Sequence, residues 1–430
     1  MKHLRHFVLL LLLVFSCQFL IAQIKTANRL YAQLKYNKAI PFYLKTVNGK
    51  KDAYKKEATI KLADCYRLTN NHNLAVEWYE KAKVYIDSDL EVALNYGIVL
   101  RTMGRYKEAS KYFEQYLAGN PENIEAKHYK DYCLQIEAWL KLPESAVVKN
   151  EKILNSKYSD FSPIPYKNGL IIVSDRMVDQ LDNHNYSWTG NGYLDLYFSW
   201  LNDEGNLTTP VILSKTFNQS FHDGPVCFSP DWETAYITRT SKEKRYKKDS
   251  LQTHYSFITV VDLDKPKKNE TPFLFNSQEY SVGHASISPD GKTLIFASGN
   301  TDGYGASDLY MCKMQDGKWT NPVNLGPDIN TFGKESFPFL ASETTLYFAS
   351  DGHMGYGDLD IFVSEFKNGE WQKPVNLKAP INSSYDDFGI MFINSGSGYF
   401  SSDRPGGLGS DDIYNFTNFK LIADPLDSSK

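Results

Sequence analysis

Apolar positions along this chain follow two different rhythms, one up to about residue 142 and another beyond it. In the first part, large and small apolar side chains recur three and four positions apart, as on one face of a helix. Leu62, Ala63, Tyr66, Ala75 and Tyr79 are echoed 34 residues later by Tyr96, Gly97, Leu100, Ala109 and Phe113, and Pro121 closes the stretch. A weaker copy, Ala27, Leu30, Ala39 and Tyr43, comes before them. Small residues at Ala63, Ala75, Gly97 and Ala109 let paired helices approach closely, and the large residues three or four positions on fill the space between them. The spacing predicts three helix-turn-helix units between about 25 and 121, with an amphipathic capping helix over 122–140 of the kind stacked repeats require.

Beyond Pro143 the period shortens to alternation, in short segments bounded by Gly, Asn, Asp and Pro, which predicts strands. Gly317-Lys318-Trp319-Thr320-Asn321-Pro322-Val323-Asn324-Leu325 returns 52 residues later as Gly369-Glu370-Trp371-Gln372-Lys373-Pro374-Val375-Asn376-Leu377. Ser298, Ser350 and Ser402 keep that offset, as do Asp308, Asp360 and Asp412. Looser copies stand at Phe228-Ser229-Pro230-Asp231 and Phe161-Ser162-Pro163, giving five units of about four strands each. One such sheet cannot bury both faces, so five packed radially predict a five-bladed β-propeller behind an α-helical solenoid, an α+β multidomain chain. The fifth unit ends near Phe419 after three strands, and Asn155 to Phe161 matches Asn382 to Phe388. The segment around Val147 to Leu154 is therefore expected to supply the last sheet's missing outer strand and close the ring. The expected boundaries are 1–22, 23–142, 143–420 and a tail at 421–430.

Lys2 and Arg5 ahead of the apolar run Phe7 to Ala22 form the pattern of a secretory signal peptide. Cleavage after Ala22 is one expected outcome; lipidation of Cys17 is the other. A mean hydropathy of -0.43 with no later long apolar run excludes a polytopic helical membrane protein. Cys65, Cys133, Cys227 and Cys312 sit in separate repeat units, which points to buried thiols rather than disulfides. Residues 23–142 carry 20 Lys/Arg and 14 Asp/Glu, whereas 143–430 carry 25 and 37. The halves are opposite in charge, and neither shows the basic stripe of a nucleic-acid binder.

Candidate chemistry is sparse. Asn28, Tyr31, Asp64, Arg67, Ile98 and Arg101 fall where the first helix of each unit would line a partner-binding groove, and Arg67 and Arg101 share a repeat position. Trp188, in a polar insertion of the first strand unit, is the best single candidate for a ligand contact. Asp351-Gly352-His353-Met354-Gly355-Tyr356-Gly357-Asp358-Leu359-Asp360 clusters carboxylates and a histidine, yet Asp360 has repeat mates at Asp195, Asp308 and Asp412, and Asp351 at Asp175 and Asp403. Carboxylates that accept backbone N–H bonds in tight turns explain that recurrence without a metal. None of the Gly-x-Ser-x-Gly, His-Glu-x-x-His, Cys-x-x-Cys or phosphate-loop motifs occurs. The expectation is no catalytic residue, no cofactor and no enzyme.

The 34-residue units resemble tetratricopeptide repeats. Ser288-Pro289-Asp290-Gly291-Lys292 to Ser298, and Ser401-Ser402-Asp403-Arg404-Pro405-Gly406-Gly407 leading to Asp411-Asp412-Ile413-Tyr414, resemble the WD40-like PD40 repeat of the TolB propeller. Together they are similar to the front part of OmpA-family periplasmic proteins of type IX secretion and gliding motility. That resemblance implies a non-enzymatic periplasmic scaffold at the outer membrane, with PorP/SprF-like membrane proteins or other type IX components as partners and without the peptidoglycan-binding OmpA domain. The alternative is a TolB-like propeller that binds a small ligand, glycan or peptide in its channel.

Overall fold

The computed structural model describes residues 23–49, 52–177, 185–219, 221–240, 254–264 and 270–424. The expected signal sequence with Cys17, and the basic segment Lys242 to Lys248, lie outside the described residues. The chain divides into two compact units, one holding the described residues up to Lys130 together with Asn185–Asn191, the other the remainder from Asp131 onward.

The first unit is built of helices: α1 (residues 23–32), α2 (Tyr36–Val47), α3 (Lys55–Leu68), α4 (His72–Ala82), α5 (Glu91–Thr102) and α6 (Tyr106–Gly119), followed by α7 (Ile124–Trp139), inside which the unit boundary falls. The sequence period is a packing period. Ala27, Ala39, Ala63, Ala75 and Ala109 are fully buried, and Tyr43, Tyr79 and Phe113 fill the space beside them. Each turn between paired helices is made the same way. Leu34, Asn70 and Gly104 adopt positive φ, and the next residue's N–H reaches back to the carbonyl of Leu30, Tyr66 and Leu100 respectively. This left-handed stop satisfies a helix-end carbonyl and sets the entry of the second helix.

The second unit is a ring of five sheets, preceded by β1 (Val147–Asn150). Blade 1 holds β2 (Asp160–Tyr166), β3 (Gly169–Ser174), β4 (Asp195–Trp200) and β5 (Val211–Ile212). Blade 2 holds β6 (Asp223–Phe228), β7 (Thr234–Thr240), β8 (Ser256–Asp262) and β9 (Glu270–Pro272). Blade 3 holds β10 (Val282–Ile287), β11 (Thr293–Ser298), β12 (Asp308–Gln315), β13 (Lys318–Trp319) and β14 (Val323–Asn324). Blade 4 repeats that plan with β15 (Glu335–Leu340), β16 (Thr345–Ser350), β17 (Asp360–Lys367), β18 (Glu370–Trp371) and β19 (Val375–Asn376). Blade 5 holds β20 (Asp387–Asn394), β21 (Ser397–Ser402) and β22 (Asp412–Thr417), and β1 pairs antiparallel with β22 as its outer strand. The ring closes as the sequence predicts: β2, β6, β10, β15 and β20 each touch the next, and β20 touches β2. The outer strands of blades 3 and 4 depart from the single strand expected there. Pro322 and Pro374, which lack an N–H, split each into two short pieces that both pair with the third strand.

Two devices recur in all five blades. Every innermost strand carries a bulge at a positive-φ residue, namely Ser162, Gly224, His284, Phe337 and Gly389. Each third strand is held by an asparagine from the segment that leads into the next innermost strand. Asn218, Asn276, Asn330, Asn382 and Asn155 each accept the N–H and donate to the carbonyl of Leu196, Ile258, Leu309, Ile361 and Ile413, at 2.7 to 3.1 Å. In blade 5 the clamp comes from the N-terminal side of the unit, so Asn155 fastens the ring alongside β1.

Candidate functional site

Most of the residues expected to line a groove have partners within the helical unit. Asn28 donates to Glu57 Oε1 at 2.8 Å and accepts the Tyr43 hydroxyl at 2.8 Å. Tyr31 packs edge-on against Tyr36 and lies under the Lys61 ammonium, 5.1 Å from the ring centre. Asp64 is buried and accepts both the Tyr79 hydroxyl, at 2.5 Å, and the Arg67 guanidinium, at 3.3 Å. Burial and the Asp64 charge together push the Tyr79 phenol far up, so it stays a donor. Arg101 is 2% exposed and stacks on Tyr129 at 4.1 Å, and Ile98 is half-buried. Arg67 and Arg101 thus occupy one repeat position with different tasks, an ion pair in one and ring stacking in the other. Trp188 belongs to this unit: its indole N–H donates to the Leu68 carbonyl at 2.7 Å and its ring stands edge-on to Tyr36 at 4.9 Å.

The carboxylates of the propeller form a template. Asp308 accepts the N–H groups of Tyr304 and Gly305 at 2.7 and 3.0 Å; Asp360 and Asp412 accept those of Gly357 and Gly409 at 3.1 and 3.2 Å. These are turn-fixing bonds, as the sequence reading has it. A second set opens the innermost strands: Asp160, Asp223, Glu335 and Asp387 accept the N–H of Ser156, Gln219, Thr331 and Ser383, four residues back. Three of these four carry an arginine. Arg176 pairs with Asp160, Arg239 with Asp223 at 2.8 Å, and Arg404 with Asp387; each guanidinium also donates to a loop carbonyl, such as Leu154, Phe217 or Ile381.

Blade 4 lacks the arginine. Gly352 stands where Arg176 and Arg404 stand in their blades, because a Cβ there would fall 1.8 Å from Thr331 Oγ1. His353, one residue on, takes over the loop carbonyl: its Nε2 lies 2.8 Å from the Ile329 oxygen, and burial drives its pKa down to about 4, so it brings no charge. Glu335, fully buried, is left with the hydroxyls of Ser350 and Thr331 at 2.6 and 2.7 Å. Burial pushes its carboxyl up to about 7. Among the described residues no group of three His, Cys, Asp or Glu side chains is arranged to hold a metal ion.

At the ring centre the five bulges meet around a cavity of about 30 Å³, lined by Ser162, Pro225, His284, Phe337 and Gly389. His284 stacks on Phe337 at 4.1 Å, and Phe337 lies against Phe388 at 4.6 Å, so aromatic rings meet at this centre. One polar cluster escapes sequence reading altogether. Lys378, fully buried, pairs with Asp424 at 2.9 Å beneath the Trp139 ring, and Trp139 donates its indole N–H to the same carboxylate at 3.0 Å. Burial lowers the Lys378 pKa to about 8. Asp424 falls within the expected tail at 421–430, and its alternation-free surroundings gave no signal of a structural role.

Comparison with known families matches residues 57–123 to a model described as YpiA-like, C-terminal tetratricopeptide repeats. With the packing above, the first unit is a tetratricopeptide-type array and the second a five-bladed propeller. No curated protein sequence matches the chain. Solved structures that match include a Mycobacterium tuberculosis puromycin-hydrolyzing peptidase, at 14% identity and TM-score 0.34, over 58% of this chain and 37% of the peptidase. Others are CoXyl43, a GH43 β-xylosidase/α-arabinofuranosidase from a compost microbial metagenome (11%, TM-score 0.37, 64% of this chain and 98% of that one), and a glycoside hydrolase (8%, TM-score 0.40, 70% and 98%). The chain spans little more than a third of the peptidase's length. These matches correct the expectation that the chain is not an enzyme. The three named solved proteins are two glycoside hydrolases and a peptidase. At these identities and TM-scores the likeness assigns it no reaction.

Proposed function

We propose that this chain is a protein-interaction scaffold of the bacterial cell envelope, exported to the periplasm and working at the outer membrane with components of type IX secretion or gliding, PorP/SprF-like proteins among them. The observation that carries the interaction reading is the tetratricopeptide-type array, whose repeats stack helices into an extended surface. The envelope assignment is supported by the apolar run ahead of Gln23, and the type IX link by the tetratricopeptide and PD40 motifs together.

The test is capture from crosslinked envelopes with the full chain and with a chain lacking residues 23–120. Recovery of an outer-membrane partner by the first and not the second supports the reading. Equal recovery, with the propeller's circular dichroism intact, removes the array from it.

A further inference from the structure

We propose that the centre of the ring is a site for structural water, in which Ser162 Oγ and His284 Nδ1 hold one or two molecules that link blades 1 and 3 across the channel. The site lies in the second unit and is independent of the helical array's role.

Two observations converge on it. Ser162 and His284 both line the central cavity, and Ser162 Oγ and His284 Nδ1 are sealed from bulk solvent with no hydrogen-bond partner among the described residues. These two polar atoms come from blades that are not neighbours in the ring, yet they share one small chamber. The backbone explains why both side chains are left over for it. Each residue sits at the positive-φ bulge of its innermost strand, and its N–H is already used on the preceding blade. Ser162 N donates to Ser401 Oγ at 2.8 Å, and His284 N donates to Thr238 Oγ1 at 2.9 Å. Stacking on Phe337 fixes the plane of the imidazole, so His284 does not swing away to another partner. Gly389 keeps the space clear: at φ +60, a Cβ there would stand 3.1 Å from Ser162 Oγ.

Size and polarity select the occupant. A cavity of about 30 Å³ admits roughly two waters, at about 10 to 15 Å³ each. No Asp, Glu, Lys or Arg is among the described residues that line it, and burial holds the His284 ring neutral, with its pKa driven down to about 4. An ion would find no counter-charge there, so the fitting ligand is a neutral group that both donates and accepts. Water does this whichever tautomer the imidazole takes, giving to one partner and receiving from the other. It also relieves the penalty of leaving two buried polar atoms unpaired.

The test is a crystal structure of the full chain at a resolution that shows ordered water, with Ser162→Ala beside it. In wild type, a density peak is expected within about 2.6 to 3.2 Å of Ser162 Oγ and His284 Nδ1, either shared or passed through a second water. In the variant the peak beside residue 162 should lose at least half its height. An empty cavity, density that reaches only one of the two atoms, or a peak unchanged by Ser162→Ala overturns the proposal. Density too large for two waters also overturns it, because the centre would then hold an organic ligand. Should the variant fail to fold, wild-type protein decides in solution. A water cross-peak on the His284 ring proton beside Nδ1, with the sign of a long-lived contact, supports the site, and its absence overturns it.

Discussion

Blades 1, 2 and 5 bury a carboxylate at the mouth of the innermost strand and neutralise it with an arginine; blade 4 buries one and does not. Blade 3 completes the series in the other direction, with Val282 where the others have the acid and no cation facing it. Either the charge pair is present, or both partners are absent, and only Glu335 stands alone. The difference teaches that the acid is kept for its backbone hydrogen bonds, since Thr331 N and hydroxyls of Thr331 and Ser350 still converge on it. The arginine is there to make an ionised carboxylate tolerable. Where Gly352 leaves no room for one, the carboxyl meets the same donors and burial pushes it up to about 7, against about 6 for Asp223 beside Arg239.

The comparison breaks most visibly at the paired blades. Arg239→Leu strands Asp223, which is 1% exposed, and should cost about 3 to 5 kcal/mol in urea unfolding at pH 7. A loss under about 1 kcal/mol would mean that the arginine is not what makes the acid tolerable. The next effect is pH dependence in blade 4. The folded Glu335 carboxyl lies near 7, above its ordinary 4.5, so the folded state binds the proton more tightly than the unfolded one. Stability should be highest below about 4.5 for this group and fall as pH rises to about 7, by up to about 3 kcal/mol. Glu335→Gln should remove that slope, seen as unfolding midpoints at pH 5 and pH 8 that differ less than in wild type.

The neutral clamps sharpen the contrast, because they do not depend on charge. Asn330→Ala and Asn155→Ala each remove two hydrogen bonds from a buried strand and should cost about 1 to 3 kcal/mol alike, independent of pH between 5 and 8. A much larger loss for Asn155 alone would show that the closing blade carries extra weight. The smallest effect is expected at an exposed pair: Glu108→Gln, opposite Arg105 on α6, should change helical-unit stability by less than about 0.5 kcal/mol.

How much of this could be read from residues follows from what repeats. The array and the ring were legible because Ala63, Gly97, Ala75 and Ala109 recur at 34 and the Trp-x-x-Pro-Val-Asn strand at 52, and each recurrence is a packing requirement. The β1 closure was legible from a missing fourth strand. The asparagine clamp was half legible: Asn155 and Asn382 stand in matched segments, and an Asn five residues before Asp160, Asp223, Glu335 and Asp387 would have shown the rest. For the residues expected on the groove, repeat position fixes where a side chain starts and not whom it meets within the array. Asp64 is taken by Tyr79, and Arg101 by Tyr129. Lys378 and Asp424 could not be found at all, since neither belongs to a repeat and their meeting depends on a chain separation of 46 residues.

The strand that completes blade 5 is made first and used last. Asn150 and its partner Asp412 stand 262 residues apart. Because the chain is made N-terminus first, the early segment is available before its neighbour is. During that interval four sheets can form without a closed ring, and both the naked flank of the first blade and the idle leading strand are open to wrong pairings. Until the last sheet is complete, the unfinished wheel is the state most exposed to mispairing.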